Sequence, residues 1–330
     1  MERKHQERDK EKKKEYDKDY ILDTIWSYMK SKIIMAANEY DLFTNLNERP
    51  MTAEELAEKL KAHPKQLGLL LDALVSIKVL EKENQKYKNT EAGESCLVKG
   101  KKGYSGDMIK HINDTYQGWG NLEKHIFKDI PRIKNWTKRF TLAMDNSGRE
   151  KGSEMAERID LEGRKKLLDV GGGSGAYSLA FLGKNQELEA TILDLPETIE
   201  VTEKLLKNIP KGKRIKTLGQ DYEEELPEGF DVVLLSNIIH SNTSDENQRL
   251  VEKCHRALNE NGVIIIHDYI LNDEKTGPEE AAIFALHMLL YRKEARTYSW
   301  KEIEEWLKGA GFKGFERMEL EESRILTAKK

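Results

Sequence analysis

The chain has 330 residues, more than one ordinary core organises, so two domains are expected. A net charge of −4 and a pI near 6.2 exclude an overall nucleic-acid footprint, and charged residues of both signs, 35% of the chain, describe a very soluble surface. Cys96 and Cys254 are the only cysteines and lack metal spacing, and no apolar run approaches the roughly 18 residues of a membrane span. With no signal-peptide h-region, the expectation is a cytoplasmic protein without metal, membrane or nucleic-acid partners.

Residues 1–19 are nearly all charged and read as a solvated, flexible extension. A mostly helical domain is predicted from 20 to 103. Apolar positions Ile21, Ile25, Tyr28, Met29 and Ile33 predict a long amphipathic helix from Tyr20 to Phe43. Thr52 and Glu55 form a capping-box signature, and Pro64 opens another helix, PKQLGLLLDALVSI, where its missing N–H costs nothing. The segment VLEKENQKYKNTEAG reads as two short strands about a polar turn, followed by a helix start at Thr90. Helix, turn, helix and hairpin make a winged-helix-like order, which admits a DNA-binding regulator. The second helix counts against that reading. Lys65 and Lys78 flank a face of Leu67, Leu69, Leu70, Leu71, Leu74 and Val75, which calls for another helix or subunit, not a major groove.

Residues 104–160 keep helical spacing, carry aromatics such as Trp119, and are expected to link the two domains. From 161 to 330 strands and helices alternate. The strand candidates are LLDV, LEATILD, RIKTL, FDVVLLS, GVIIIHDY, FKGFERMEL and RILTAKK. Alternation predicts an α/β fold, a doubly wound parallel sheet, and the three-residue connection before the last strand forces an antiparallel strand at the edge.

Residues 167–177, LLDVGGGSGAY, join a buried strand to a helix through glycines, so the backbone can approach a ligand at the positive end of the helix. Gly171, Gly173 and Ala176 fit the dinucleotide fingerprint, which leaves the nucleotide open. Asp169 discriminates. A carboxylate before the loop repels a pyrophosphate and attracts the ammonium and sulfonium of S-adenosylmethionine, SAM. An antiparallel final strand is also the SAM-methyltransferase arrangement, whereas dehydrogenase sheets are all parallel. An NAD dehydrogenase stays as an alternative at this point.

Ligands of such sheets bind beyond the carboxyl ends of the strands. Asp194, nineteen residues after Gly175, is placed for the ribose hydroxyls, and Asp221 and Tyr222 for adenine. Asp194 could equally cap the turn before Pro196, and Asp221 a loop. Ser236 and Asn237 end the fourth strand, with His240 a turn later, and His267 and Asp268 end the fifth. His240 is the candidate base: Asp268, from the neighbouring strand, would fix one imidazole nitrogen and leave the other to take a proton. Glu294 is a candidate second partner. His267 packs rather than reacts, because successive strand residues face opposite ways. Phe284, Met288 and Tyr291, at near-helical spacing, are candidate acceptor contacts, as is Trp119.

In order, DVGGGSG, LDLPE, GQDY, IIHSNTSDEN, HDYIL and KEART resemble the plant- and bacterial-type small-molecule O-methyltransferases over nearly the whole chain. The resemblance implies a class I SAM-methyltransferase domain and an N-terminal winged-helix-like domain that makes a homodimer. It also implies that Gly171, Gly173, Asp194, Leu195, Asp221 and Tyr222 hold SAM, with Ser236 near its amino-acid end. His240 would be the base that prepares a hydroxyl of a small, aromatic acceptor, flanked by Asp268 and Glu294. Two departures stand out: Ser241 and Asn242 replace the Asp-Trp common after this histidine, and Asp268 replaces a glutamate. Relatives include carbon methyltransferases and a hydroxylase that keeps SAM without transferring its methyl, and methylation at carbon or nitrogen stays as an alternative to O-methylation.

Overall fold

The computed structural model describes residues 18–127, 136–289, 292, 294–320 and 323–330. Predicted site residue Tyr291 and most of the charged extension lie outside them. The chain divides into two compact units.

The first unit comprises 18–62 and 77–120 among the described residues, and the second 63–76 and 121–330. In the first are α1 (Lys18–Glu39), α2 (Leu42–Leu46) and α3 (Ala53–Leu60). The long helix predicted over 20–43 is broken at Asp41, whose φ of 52° is left-handed and whose carboxylate pairs with Lys99 at 2.7 Å and Lys110 at 3.3 Å. The Thr52–Glu55 capping box opens α3 with both of its hydrogen bonds. Next in the chain comes α4 (Pro64–Ser76), which belongs to the second unit. The first unit resumes with the antiparallel hairpin β1 (Leu80–Glu83) and β2 (Lys86–Asn89), then α5 (Glu91–Leu97), capped by Thr90, and α6 (Gly106–Trp119). Asn84 and Gln85 both have positive φ, the geometry of a two-residue hairpin turn.

The remaining elements of the second unit are α7 (Leu122–Ile126), α8 (Trp136–Arg158), β3 (Lys166–Val170), α9 (Ala176–Lys184), β4 (Glu189–Asp194), α10 (Pro196–Leu206), β5 (Ile215–Gly219), β6 (Phe230–Ser236), α11 (Ser244–Ala257), β7 (Leu258–Asp268), α12 (Glu279–Leu289), α13 (Trp300–Gly309), β8 (Lys313–Glu319) and β9 (Arg324–Lys329). The predicted 104–160 linker therefore divides: α6 falls in the first unit, α7 and α8 in the second. The apolar face of α4 finds its helix in α12.

The seven-stranded sheet has the order β5-β4-β3-β6-β7-β9-β8, parallel from β5 to β7. Only β9 runs against its neighbours. It is not the edge strand, as the short connection had suggested; it inserts between β7 and β8. Composition decides the order. Ile325, Leu326 and Ala328 of β9 are fully buried, whereas β8 is mostly exposed and tolerates the rim.

Strand alternation sorts the core into two layers. Leu168, Val170, Val233, Leu235, Ile264 and Ile266 pack with Leu250, Val251 and Cys254 of α11 and Ile303, Trp306 and Leu307 of α13. Their neighbours Leu167, Val232, Leu234 and Ile265 pack on the opposite face with Met155 of α8 and Phe181 and Leu182 of α9. Among the described residues no helix is long and apolar enough to cross a membrane.

Candidate active site

At the end of β3 the chain turns through Gly171, Gly173 and Gly175, with φ of 65°, 54° and 79°, values that glycine adopts without strain. Backbone and carboxylate bonds hold the turn. Gly171 N–H donates to Leu193 O at 2.7 Å, and Gly173 N–H to Asp194 Oδ2 at 2.9 Å. The other oxygen of Asp194 accepts from Leu195 N–H at 2.7 Å. Asp194 thus braces the loop from the next strand, and Leu195 presents an exposed side chain beside it. Burial raises the Asp194 pKa.

Asp169 is 1% exposed and accepts from Ser178 Oγ of α9 at 2.7 Å through Oδ2. Its Oδ1 is buried with no hydrogen-bond partner. Burial, opposed by the Ser178 bond and reinforced by the charge of Asp194, lifts its pKa to about 7. A buried carboxylate with one unsatisfied oxygen calls for a cationic donor. At Gly173 a Cβ would meet nothing within 4 Å, so the turn borders open space. These features fit SAM, whose ammonium is such a donor. Asp221 Oδ1 accepts from Glu223 N–H at 2.9 Å, turning the chain after β5, and Tyr222 is half-buried beside it.

The other end of the site is built on β6 and β7. Asn237, at φ 57°, turns the backbone out of β6, its N–H bound to His267 O at 2.8 Å. A 3₁₀ turn, Ile239–Ser241, follows and carries His240. His240 Nδ1 donates to Asp268 Oδ1 at 2.8 Å, leaving Nε2 as the basic nitrogen. Asp268 is 1% exposed; its Oδ1 also accepts from Tyr269 N–H at 2.7 Å, and its Oδ2 is unpartnered. His267 faces the opposite side, as alternation requires. It is buried between Ser236 Oγ, 2.9 Å from Nδ1, and Ser323 Oγ, 2.7 Å from Nε2. Burial pushes its pKa down to about 4, so the ring is neutral.

Sequence reasoning missed what holds the 3₁₀ turn. Tyr222 Oη donates to Asn242 Oδ1 at 3.0 Å, Asn242 Nδ2 to Asn247 Oδ1 at 3.1 Å, and Asn247 Nδ2 to Ile239 O at 2.9 Å. Tyr298 Oη reaches Asn242 O at 2.6 Å. Asn242, the departure from the family pattern, is a buried junction of this network. Two asparagines five positions apart were the available signal, but their burial was not legible.

Phe284 on α12 meets His240 edge-on at 5.0 Å between centroids and stacks on Tyr269 at 4.3 Å. It also stacks on His287, at 5.5 Å. Met288 on the same helix is buried. Glu294 is exposed, and among the described contacts neither a hydrogen bond nor an ion pair joins it to His240. Among the described residues the structure shows no direct bond between that predicted second carboxylate and the base. Trp119 is exposed on α6 of the first unit. Among the described residues no cluster of His, Cys, Asp or Glu could hold a metal.

A glycine turn at the end of β3, acids at the ends of β4 and β5, and an antiparallel β9 define a SAM-type methyltransferase domain. Family comparison agrees: residues 105–313 match the O-methyltransferase domain, and 22–99 the O-methyltransferase dimerisation domain. The chain belongs to the O-methyltransferase family, and SAM is its methyl donor. It is 27% identical to a 3-hydroxy-5-methyl-1-naphthoate 3-O-methyltransferase of Streptomyces sahachiroi, over 88% of each chain. Over 48% of this chain and 44% of the other, it is 37% identical to an L-tyrosine C(3)-methyltransferase of Streptomyces lavendulae. An O-methyltransferase family 2 protein from Planctomyces limnophilus, solved in complex with apigenin, superposes with a TM-score of 0.80. That pair shares 26% identity, covering 94% of this chain and 95% of the other.

Proposed function

We propose that this enzyme methylates a hydroxyl of a small aromatic acceptor, with His240 as general base. The observation that carries the reading is the 2.8 Å bond from His240 Nδ1 to the buried Asp268. It fixes the tautomer, so Nε2 takes the proton of the acceptor hydroxyl, and the resulting imidazolium is stabilised by the carboxylate. Bound SAM supplies a methyl group on a sulfonium, open to in-line attack. Asp169 and Asp194 hold that cofactor from the glycine turn, at its ammonium and ribose, with Gly171, Gly173, Leu195, Asp221, Tyr222 and Ser236 around it. Phe284 and Met288 flank the acceptor. Most of the rate comes from holding oxygen and methyl in line. The relatives named for a naphthoate and for tyrosine, and the structure bound to apigenin, support an aromatic acceptor.

Carbon methylation is the second reading, supported by the relative named for C(3) of tyrosine. The same base serves it, since removing a phenol proton makes the ortho carbon nucleophilic. Purification followed by mass spectrometry of bound small molecules, then NMR of the methylated product, tests both. A methyl on oxygen supports the first reading, and one on carbon replaces it. Absence of SAM and of its demethylated form, with no binding of either on titration, would remove the cofactor from the scheme.

We also propose a homodimer formed through 22–99. Tyr20, Ile21, Leu22, Ile25, Trp26 and Tyr28 are all exposed on α1, an apolar surface that a second copy would cover. Sedimentation of the double variant Ile25→Glu, Trp26→Glu should show a monomer; an unchanged dimer would move the interface elsewhere.

A further inference from the structure

The strand ends that frame the site are acidic. Segments 169–177, 192–195, 219–222, 234–242 and 266–270 contain Asp169, Asp194, Asp221 and Asp268 and no lysine or arginine. The methionine part of SAM carries an ammonium and a carboxylate. Four aspartates suit the first and repel the second. A lysine or arginine that compensates has to come from outside the strand ends.

Helix α8 brings one. Gly148 and Gly152 let it lie directly on the start of α9: a Cβ at Gly148 would stand 3.1 Å from Ala176 Cβ, and one at Gly152 3.2 Å from Tyr177 Cα. Lys151 sits between these two contacts, half-buried, with Nζ 5.6 Å from the Tyr269 ring centroid. Around it are Tyr177 and His267, both linked to Ser236. Burial raises the Tyr177 phenol and lowers the His267 imidazole, and the positive charge of Lys151 pulls down on both. Ser236 follows Leu235, the register partner of Val170, and so stands level with Gly171. The Lys151 charge therefore lies beside the glycine turn, on the α8–α9 face that also carries Asp169.

We propose that Lys151 binds the α-carboxylate of the cofactor's methionine moiety, supplying from a helix the counter-charge that the strand ends lack. Asp169 on β3 and Lys151 on α8 then grip the two charges of one zwitterion. This fixes the sulfonium end of the ligand as well as its nucleoside end. The assignment rests on SAM binding at the glycine turn.

The test is calorimetric titration of the full chain with two ligands. S-adenosylhomocysteine has the carboxylate; 5′-methylthioadenosine lacks the whole amino-acid head. Lys151→Met should weaken S-adenosylhomocysteine about tenfold to a hundredfold, the loss of a charge-assisted bond, while methylthioadenosine binds as in the wild type. Lys151→Arg should keep most of the affinity. Equal binding of S-adenosylhomocysteine by wild type and Lys151→Met overturns the assignment. So does a loss shared equally by both ligands, or an effect confined to the acceptor KM. Failure of the wild type to bind either nucleoside would instead sink the cofactor reading and this one with it. Unchanged methylthioadenosine binding also shows that the variant is folded.

Discussion

Asp169 and Asp268 end strands of the same sheet, are equally buried, and each leaves one carboxylate oxygen without a partner. Their surroundings make them different instruments. Asp169 is buried with the charge of Asp194 nearby and only a serine hydroxyl to offset them, so its pKa is raised to about 7. Asp268 already has its cation-to-be, the His240 imidazole, together with a backbone N–H. In the proposed mechanism, one end of the site takes charge from the cofactor, and the other takes the acceptor's proton. The lesson is that a buried carboxylate takes its role from its nearest donor, not from its place in the fold.

The largest expected effect comes from emptying the histidine end. His240→Ala should lower turnover by roughly 10²–10⁴-fold with the dissociation constant of S-adenosylhomocysteine unchanged. Full activity in that variant would end the base assignment. At the other end, Asp194→Ala removes the acceptor of Gly173 N–H as well as the proposed ribose contact. Cofactor affinity should drop about tenfold or more, and an unaltered dissociation constant would leave Asp194 a purely structural brace.

A pH series separates the buried groups more finely. Asp169 has a raised folded-state pKa, so the folded chain keeps a proton that the unfolded chain loses between about 4 and 7. Stability from this group therefore falls as pH rises through that window. His267 has its folded pKa lowered to about 4, so the unfolded chain takes the proton first, and stability falls as pH drops from about 6.5 towards 4. Melting curves of Asp169→Asn and His267→Gln should thus tilt the pH profile in opposite directions from the wild type. Parallel profiles would contradict the pairing. Binding of S-adenosylhomocysteine near pH 6 should also release a proton, seen as a dependence of the binding heat on buffer ionisation, and Asp169→Asn should remove it. The smallest effect is expected for Glu294→Gln, whose residue is exposed and has no described bond to His240; turnover should not change, and a marked loss would restore it to the site.

The glycine turn, the strand-end acids and the capping box at Thr52 were legible because each depends on residues close in sequence. Strand limits were also close: the run FDVVLLS is β6 to the residue. What failed involved competition between distant segments. The short connection before β9 specified an antiparallel pair but not which strand lies outermost, and that was settled by the more apolar strand taking the covered slot. Asp268 and Glu294 were both expected beside His240; burial at the end of β7 brings Asp268 to the ring, while Glu294 is exposed.

The sequence by itself determined the alternation of strands and helices, the backbone freedom at 171–175, and the identity of the acids and histidines at the strand ends. Those follow from local geometry and side-chain chemistry. Tertiary structure alone decided which acid meets which base, that two asparagines and two tyrosines lock the turn carrying His240, and that a lysine from α8 lies over the Tyr269 ring. Such pairings are set by packing between elements far apart in the chain, where burial removes water as the competing partner and leaves each polar group to find a donor or acceptor in its neighbours.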